Sequence, residues 1–366
     1  GVVGISLAYM SYKKGLPLSV RSVLQPLFGK YLSGGLGHTI DIVAILATIV
    51  GLSVTIGYGV SQFASGLFNI TQFDWLVGEN SQPTIGARLL GLLLIIGASC
   101  LSAMSGLHKG IKWLSNINMI LSMVLILFFM LFGASVFAFK TFFITIYDYL
   151  LALPEMSFTV WNSNDSEIIG KLQSWQSSWT IFYWAWWIAF APFVGIFLAR
   201  VSKGRTIREY VFGAIIVPSL ICLVWFAFIG GTAIDLELSG EAQGSIINTD
   251  ISNQLFATVN LITSEGFAAT LSVIIVILLL TFLITSADSG ILIINTLASG
   301  GSSDRREVKH IIVWGVIFAS LIGTLLFAGG MDALRSVMII GALPFSIVMV
   351  LMGISFLKTC LEDKDY

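Results

Sequence analysis

The stretch from Trp175 to Phe197 reads WQSSWTIFYWAWWIAFAPFVGIF and contains no charged side chain. At about 1.5 Å of rise per residue, an α-helix of this length crosses the ~30 Å hydrocarbon core of a bilayer. Basic residues follow directly, at Arg200 and Lys203. This pattern predicts a membrane-spanning helix with a basic loop at its end.

The composition of the whole chain agrees with a membrane protein. Of 366 residues, 56% are hydrophobic and only 11% are charged, and the mean hydropathy is +0.93. A soluble domain cannot bury that much apolar surface. The formal net charge of -1 argues against nucleic acid as a partner. The three cysteines, Cys100, Cys222 and Cys360, have neither disulfide nor metal-ligand spacing.

Further apolar runs are long enough to cross a bilayer. In all, the sequence predicts eight complete spans, at residues 38–66, 87–106, 115–139, 175–200, 209–234, 266–299, 308–329 and 333–357. Residues 1–12 predict the end of a ninth, partial helix. Two amphipathic segments, 141–157 and 251–264, predict short interfacial helices that do not cross. The fold class is therefore all-α and integral to the membrane.

The orientation follows from the basic residues, because cytoplasmic loops retain Lys and Arg. Alternate loops hold most of the 19 basic residues. These are Lys13, Lys14, Arg21 and Lys30; Lys109 and Lys112; Arg200, Lys203, Arg205 and Arg208; Arg305, Arg306 and Lys309; Lys358 and Lys364. This alternation places the C-terminus in the cytoplasm.

The helix at 175–200 has a nearly continuous aromatic face. Trp186 and Trp187 lie roughly 17 Å from its outer end, near the bilayer midplane. There the rings either pack against another helix or hold an onium cation against their π-faces. Nearer the end, Trp and Tyr also suit an interfacial belt. At 100° per residue, an arc of about 140° contains Trp175, Trp179, Phe182, Tyr183, Trp186, Trp187 and Phe190, with Trp184 elsewhere.

The run at 266–299 is longer than a bilayer requires, because a straight helix would reach about 51 Å. It must tilt, project from the membrane or break. The polar insert from Thr285 to Gly290 favours a break that lines an ion or substrate site. Two alternatives stay open. The hydroxyls can bond carbonyls of their own helix, and Asp288 can cap a broken helix.

Three motifs carry a family resemblance. The first is SWTIFYWAWW at 178–187, which continues into PFVG at 192–195 and FLARVSKGRTIRE at 197–209. The others are TSADS at 285–289 and KGIKWLSNIN at 109–118. With these motifs the chain resembles the betaine/choline/carnitine transporter family along its whole length. Residues 15–22 and 343–346 are most similar to the choline-type branch of that family.

The resemblance implies twelve transmembrane helices. Helices three to seven and eight to twelve would form inverted repeats, as in neurotransmitter:sodium symporters. Residues 1–139 then hold the rest of the first repeat, from the end of helix four. Residues 140–174 are a periplasmic connection, 175–357 the second repeat and 358–366 a cytoplasmic tail. We expect helices one to three and most of helix four to precede Gly1, and to supply a glycine-rich helix and further cage aromatics.

Carried over by position, the resemblance implies a substrate cage on the aromatic helix. Trp186 and Trp187 are its walls, and Phe190 stands beside it where many betaine transporters have tryptophan. The outer access path would be lined by Trp179, Phe182 and Tyr183.

The resemblance also implies a sodium site on the helix at 266–299. Thr285 and Ser286 match its hydroxyl ligands, with the carbonyl of Phe282 beside them. A second cation site is matched only in part, by Thr48 and Phe193, because Leu52 replaces a hydroxyl residue.

The function implied is secondary active import of a quaternary ammonium solute such as choline, glycine betaine or carnitine. Sodium is the expected coupling ion, with no cofactor, and the expected setting is a homotrimer in the bacterial inner membrane. A proton-coupled or exchange-type carrier stays open, as does a channel or a non-transporting sensor. An enzyme is disfavoured, because His38, His108 and His310 are scattered at loop ends.

Overall fold

The structure, a computed structural model, describes residues 1–78, 81–105, 112–162, 166–301 and 308–363. Among the residues discussed above, His108, Lys109, Arg305, Arg306 and Lys364 lie outside these ranges, as does the start of the KGIKWLSNIN motif. The described chain is helical. Its helices are α1 Val2–Tyr12, α2 Val20–Val23, α3 Gln25–Phe28, α4 Gly35–Thr71, α5 Ile85–Ser105, α6 Lys112–Phe132, α7 Ser135–Phe158, α8 Glu167–Val201, α9 Ile207–Leu238, α10 Gln254–Ile262, α11 Glu265–Ala298 and α12 Val308–Glu362.

Within the described ranges, eight helices are long and apolar enough to cross a membrane, namely α4 to α9, α11 and α12. This confirms the all-α membrane fold. The predicted spans at 38–66, 87–106, 175–200, 209–234 and 266–299 match α4, α5, α8, α9 and α11. The short helix predicted at 251–264 is α10, and the partial helix at 1–12 is α1.

The predicted span at 115–139 is wrong at its C-terminal end. Helix α6 stops at Phe132, and α7 begins at Ser135. The apolar run continues through Gly133 and Ala134, so hydropathy alone hides the turn. There the Ala134 amide donates to the hydroxyl of Thr232 on α9, at 3.1 Å. The predicted short helix at 141–157 is consequently the second part of α7, a helix of 24 residues that ends at Phe158.

Helix α12 contains both of the last two predicted spans. The backbone leaves helical geometry at Gly329 and Gly330, where Gly330 has φ 62° and ψ -143°. That region of conformational space is open essentially to glycine alone. The two limbs, 308–328 and 331–362, therefore meet at a glycine hinge, as the predicted spans 308–329 and 333–357 require.

Helix α11 is continuous over its 34 residues, so the break expected at Thr285 to Gly290 is wrong. The reason is local. The Thr285 hydroxyl donates to the carbonyls of Thr281 and Phe282, both at 3.0 Å. The Asp288 carboxylate accepts from Ser102 on α5 at 2.6 Å. Polar side chains that bond their own helix or a neighbour leave the helical ladder intact.

Helix α4 is the centre of the bundle. In the most apolar 18-residue stretch of α4, 72% is buried inside the protein. In the corresponding stretch of α7, 6% is buried. It contacts α5, α8, α11 and α12. Small residues permit the close approach to α8, because a Cβ atom at Gly51 would lie 3.0 Å from that of Ala189. This packing holds the aromatic face of α8 against α4.

Segments predicted to share one side of the membrane lie together. Asp363 pairs with Lys14 and lies 3.7 Å from Lys13. The Lys203 ammonium lies 5.9 Å from the centroid of the Tyr12 ring. The end of α1, the loop after α8 and the C-terminal tail therefore meet at one end of the bundle, as the alternation of basic loops predicts.

Candidate functional site

Trp186 is the centre of an aromatic cluster between α8 and α4. Its ring stacks on Tyr58 at a centroid distance of 6.0 Å and an interplanar angle of 30°. Phe182 lies 5.4 Å away and Tyr183 5.7 Å away. Phe190 meets the indole edge-on at 6.5 Å. Four rings thus surround one indole.

A hydrogen bond fixes the orientation of this indole. Its Nε1 donates to the hydroxyl of Thr55 on α4, at 3.1 Å. A buried tryptophan N–H needs such a partner, and the bond ties the ring plane to the neighbouring helix. Thr55 and Tyr58 are three residues apart and so lie on the same face of α4. The cluster is thereby assembled by two helices that pack tightly.

The helical period brings most of the predicted cage and access-path residues onto this face. Phe182 is buried, and Tyr183 stacks on Trp179 at 6.0 Å with an interplanar angle of 10°. Phe193 is buried further along and meets Phe190 at 5.6 Å. The structure thus brings Trp179, Phe182, Tyr183 and Phe190 onto one face of α8, as the sequence predicts, and the outer part of this face is half-exposed.

Of the two predicted cage walls, Trp187 is the one that the cluster does not include. Its side chain is 68% exposed, close to the 67% of Trp184. It is offset from Trp186 by one residue, or 100° around the helix. No ring contact among the described residues involves it. Its indole lies on an open surface of α8.

A second group of polar residues surrounds Thr285 on α11. The Asn118 amide, on α6, donates to the Thr285 hydroxyl at 3.4 Å. The Oδ1 atom of Asn118 is buried without a hydrogen-bond partner. Ser286 is half-buried, and Phe282, whose carbonyl accepts from Thr285, is exposed. A buried oxygen without a partner is rare in folded proteins and is a feature of ion or water sites.

The partial second cation site lacks support from the packing. The Thr48 hydroxyl is fully buried and donates to the Ala44 carbonyl of its own helix, at 2.8 Å. Leu52 is fully buried and packs where a Cβ atom at Gly290 would lie. An apolar side chain thus fills the interface with α11 where a hydroxyl would have to offer a ligand.

Sequence reasoning missed several residues of both groups. Thr55, Tyr58 and Arg335 contact the aromatic cluster, and Asn118 and Ser102 contact α11. One signal was available, because a charged residue inside an apolar run usually has a function. Arg335 is such a residue.

Comparison with known proteins gives the family. The sequence model described as the betaine/carnitine/choline family transporter matches residues 1–365. The chain belongs to this family. Members of the betaine/carnitine/choline family are transporters rather than enzymes, which excludes the enzyme alternative.

Curated relatives match this chain over nearly its whole length. A glycine betaine transporter of Bacillus subtilis is 37% identical over 99% of this chain. A glycine betaine/proline/choline transporter of Vibrio parahaemolyticus is 35% identical over 99%, and a glycine betaine transporter of Acinetobacter baylyi is 34% identical over 99%. The chain spans 67%, 62% and 52% of the length of these three family members, in that order.

Proposed function

We propose that the protein is a secondary active transporter that imports a quaternary ammonium solute, such as glycine betaine or choline, across the bacterial inner membrane. The observation that carries the proposal is the Trp186 cluster. A quaternary ammonium has no N–H to donate, so aromatic faces are its natural binding surface, worth about 0.5–2 kcal/mol for each well-placed ring. Two relatives have glycine betaine in their names, which supports the same solute class.

The proposed cage is built from the residues in direct contact with Trp186. Phe182 and Tyr183 extend it along α8, and Tyr58 adds a ring from α4. Trp187 forms a second wall if another part of the protein covers its exposed face. The half-exposed pair Trp179 and Tyr183 fits an access path.

We propose sodium as the coupling ion, bound near Thr285 and Ser286. Sodium is a hard cation that prefers several oxygen ligands. The hydroxyls, the Phe282 carbonyl and the buried Oδ1 of Asn118 are oxygens of this kind. These residues fit a small cation better than a packed apolar interface, where an unpartnered amide oxygen would be costly.

Proton coupling is the main alternative, and Asp288 is the residue that favours it. Its carboxylate is fully buried and is held by Ser102 and Ser289. Ionisable residues within membrane helices often carry protons. The hydrogen bonds equally suit a structural link between α5 and α11.

The experiment is uptake of radiolabelled glycine betaine and choline by cells that produce the protein, with an empty-vector strain as control. We expect saturable accumulation of at least one solute above its external concentration. Equilibration without accumulation would favour a channel, and no movement of either solute would favour a sensor. Either result would overturn the proposal.

Two further features belong to the proposed arrangement. The distribution of basic residues supports a C-terminus in the cytoplasm. The family resemblance supports a homotrimer.

A further inference from the structure

Arg335 lies against the aromatic cluster, on the second limb of α12. Its guanidinium carbon lies 5.2 Å from the centroid of the Tyr58 ring and 5.3 Å from that of Phe182. Its Nε donates to the Tyr58 hydroxyl. The same two rings contact Trp186, so the guanidinium and the central indole share both neighbours. A fixed positive charge is thus part of the wall of the proposed site.

The local carboxylate does not neutralise this charge effectively. Asp332 lies 3.7 Å from an Nη atom of Arg335, but the Asp332 side chain is 91% exposed. Exposed pairs of this kind contribute little, because water and salt screen them. The Arg335 side chain itself is 34% exposed and has five N–H donors in a planar fork. Tyr58 accepts from one of them, and the fork matches a carboxylate in geometry.

We propose that Arg335 makes the site selective for zwitterionic onium solutes, by binding their carboxylate while the rings around Trp186 bind the quaternary ammonium. This inference rests on the proposed transport function and names its solute class. Glycine betaine carries both groups, and choline carries a hydroxyl in place of the carboxylate. A guanidinium beside the rings repels a cation that brings no carboxylate. Arg335 therefore attracts the zwitterion and disfavours choline by the same charge.

A structural role makes a different prediction. If Arg335 only anchored α12 to Tyr58 and Phe182, its loss would loosen the cluster for every solute. The affinity ratio between glycine betaine and choline would then stay constant. If Arg335 binds the carboxylate, the ratio changes, and the two affinities move separately. The ratio is therefore the quantity to measure.

The test compares Arg335→Gln and Arg335→Lys with the wild-type protein, at matched amounts in the membrane. Arg335→Gln should weaken the apparent affinity for glycine betaine at least about tenfold, the effect of losing one charge-assisted hydrogen bond. It should leave choline affinity unchanged or improve it. Arg335→Lys keeps the charge but lacks the planar fork. Its apparent affinity for glycine betaine should therefore lie between those of the wild-type protein and Arg335→Gln. The matched control is Lys171→Gln, since Lys171 is an exposed cation on α8, paired with Glu167 at 2.8 Å.

A second measurement uses the unmodified protein. The methyl ester of glycine betaine keeps the trimethylammonium group and lacks the carboxylate. It should compete with glycine betaine uptake at least about tenfold more weakly than glycine betaine itself. If the ester competes equally well, or if the ratio of the glycine betaine and choline affinities is unchanged in Arg335→Gln, the proposed role of Arg335 is overturned and the transport function is not. Uptake of neither solute by the wild-type protein would overturn the transport function and this inference together.

Discussion

Trp186 shows how a single residue acquires a role from two helices. Its ring position follows from the helical period of α8, but its plane follows from Thr55 on α4. The sequence predicts the first, because residues at this spacing share one face. It does not predict the second, because the register between α4 and α8 depends on packing at Gly51 and Ala189. Tyr58, on α4, was missed for the same reason.

Replacing Trp186 with leucine should weaken the apparent affinity for glycine betaine at least about tenfold, as expected for the loss of roughly 1.4 kcal/mol of cation–π energy. We expect this loss because the Trp186 ring lies at the centre of four other aromatic rings. The measurement is concentration-dependent uptake at matched expression. Trp184→Leu is the control, because Trp184 is 67% exposed on another face. Equal losses in both variants would remove the special role of Trp186.

At the scale of elements, long apolar runs were predicted well and their interruptions poorly. The two limbs of α12 were separated correctly, since paired glycines mark the hinge. The turn between α6 and α7 was missed, because Gly133 and Ala134 continue the apolar pattern. The break in α11 was expected and is absent, because the Thr285 hydroxyl and Asp288 find partners without interrupting the helix. Hydropathy reports burial in lipid, and it does not report which hydrogen bonds a polar side chain makes.

Alanine at Gly330 should destabilise the hinge of α12. An L-residue at φ 62° and ψ -143° is strained by about 1–3 kcal/mol. We expect a lower thermal unfolding midpoint in detergent and a weaker glycine betaine affinity, because the second limb positions Arg335. The control is Gly323→Ala in the first limb, where a Cβ atom would meet Leu89 at an ordinary 3.5 Å. A Gly330→Ala protein as stable as this control would show that the hinge tolerates a side chain.

At the scale of the whole molecule, charge distribution and packing agree. The segments rich in Lys and Arg around Lys14 and Lys203 lie at the same end as Asp363. Basic loops set orientation during insertion, before the bundle packs. The fold class and the grouping of loops were therefore predictable from the sequence. The contacts of Asn118 and Ser102 with α11 were not, because they depend on how α5, α6 and α11 pack together.

Energy coupling is a property of the whole transport cycle. An inward sodium gradient should drive accumulation of glycine betaine in proteoliposomes, and Thr285→Ala or Asn118→Ala should weaken the sodium dependence. Each change removes an oxygen from the proposed site, one a hydroxyl and the other the buried Oδ1. A cation that depends on several oxygen ligands loses affinity when any of them is removed.

The control for this experiment is Ser346→Ala on the second limb of α12. The Ser346 hydroxyl is exposed and donates to the Leu343 carbonyl at 2.6 Å, outside the proposed sodium site. Sodium and proton gradients are imposed separately, so that each driving force is measured alone. Accumulation driven by protons in sodium-free buffer, undiminished in the Thr285 and Asn118 variants, would replace sodium by the proton. Asp288→Asn would then be the decisive variant, because it keeps an acceptor for Ser102 and removes the group that titrates. The proposed aromatic cage would be unaffected by that outcome, since the role proposed for Trp186 is to bind the solute and not the coupling ion.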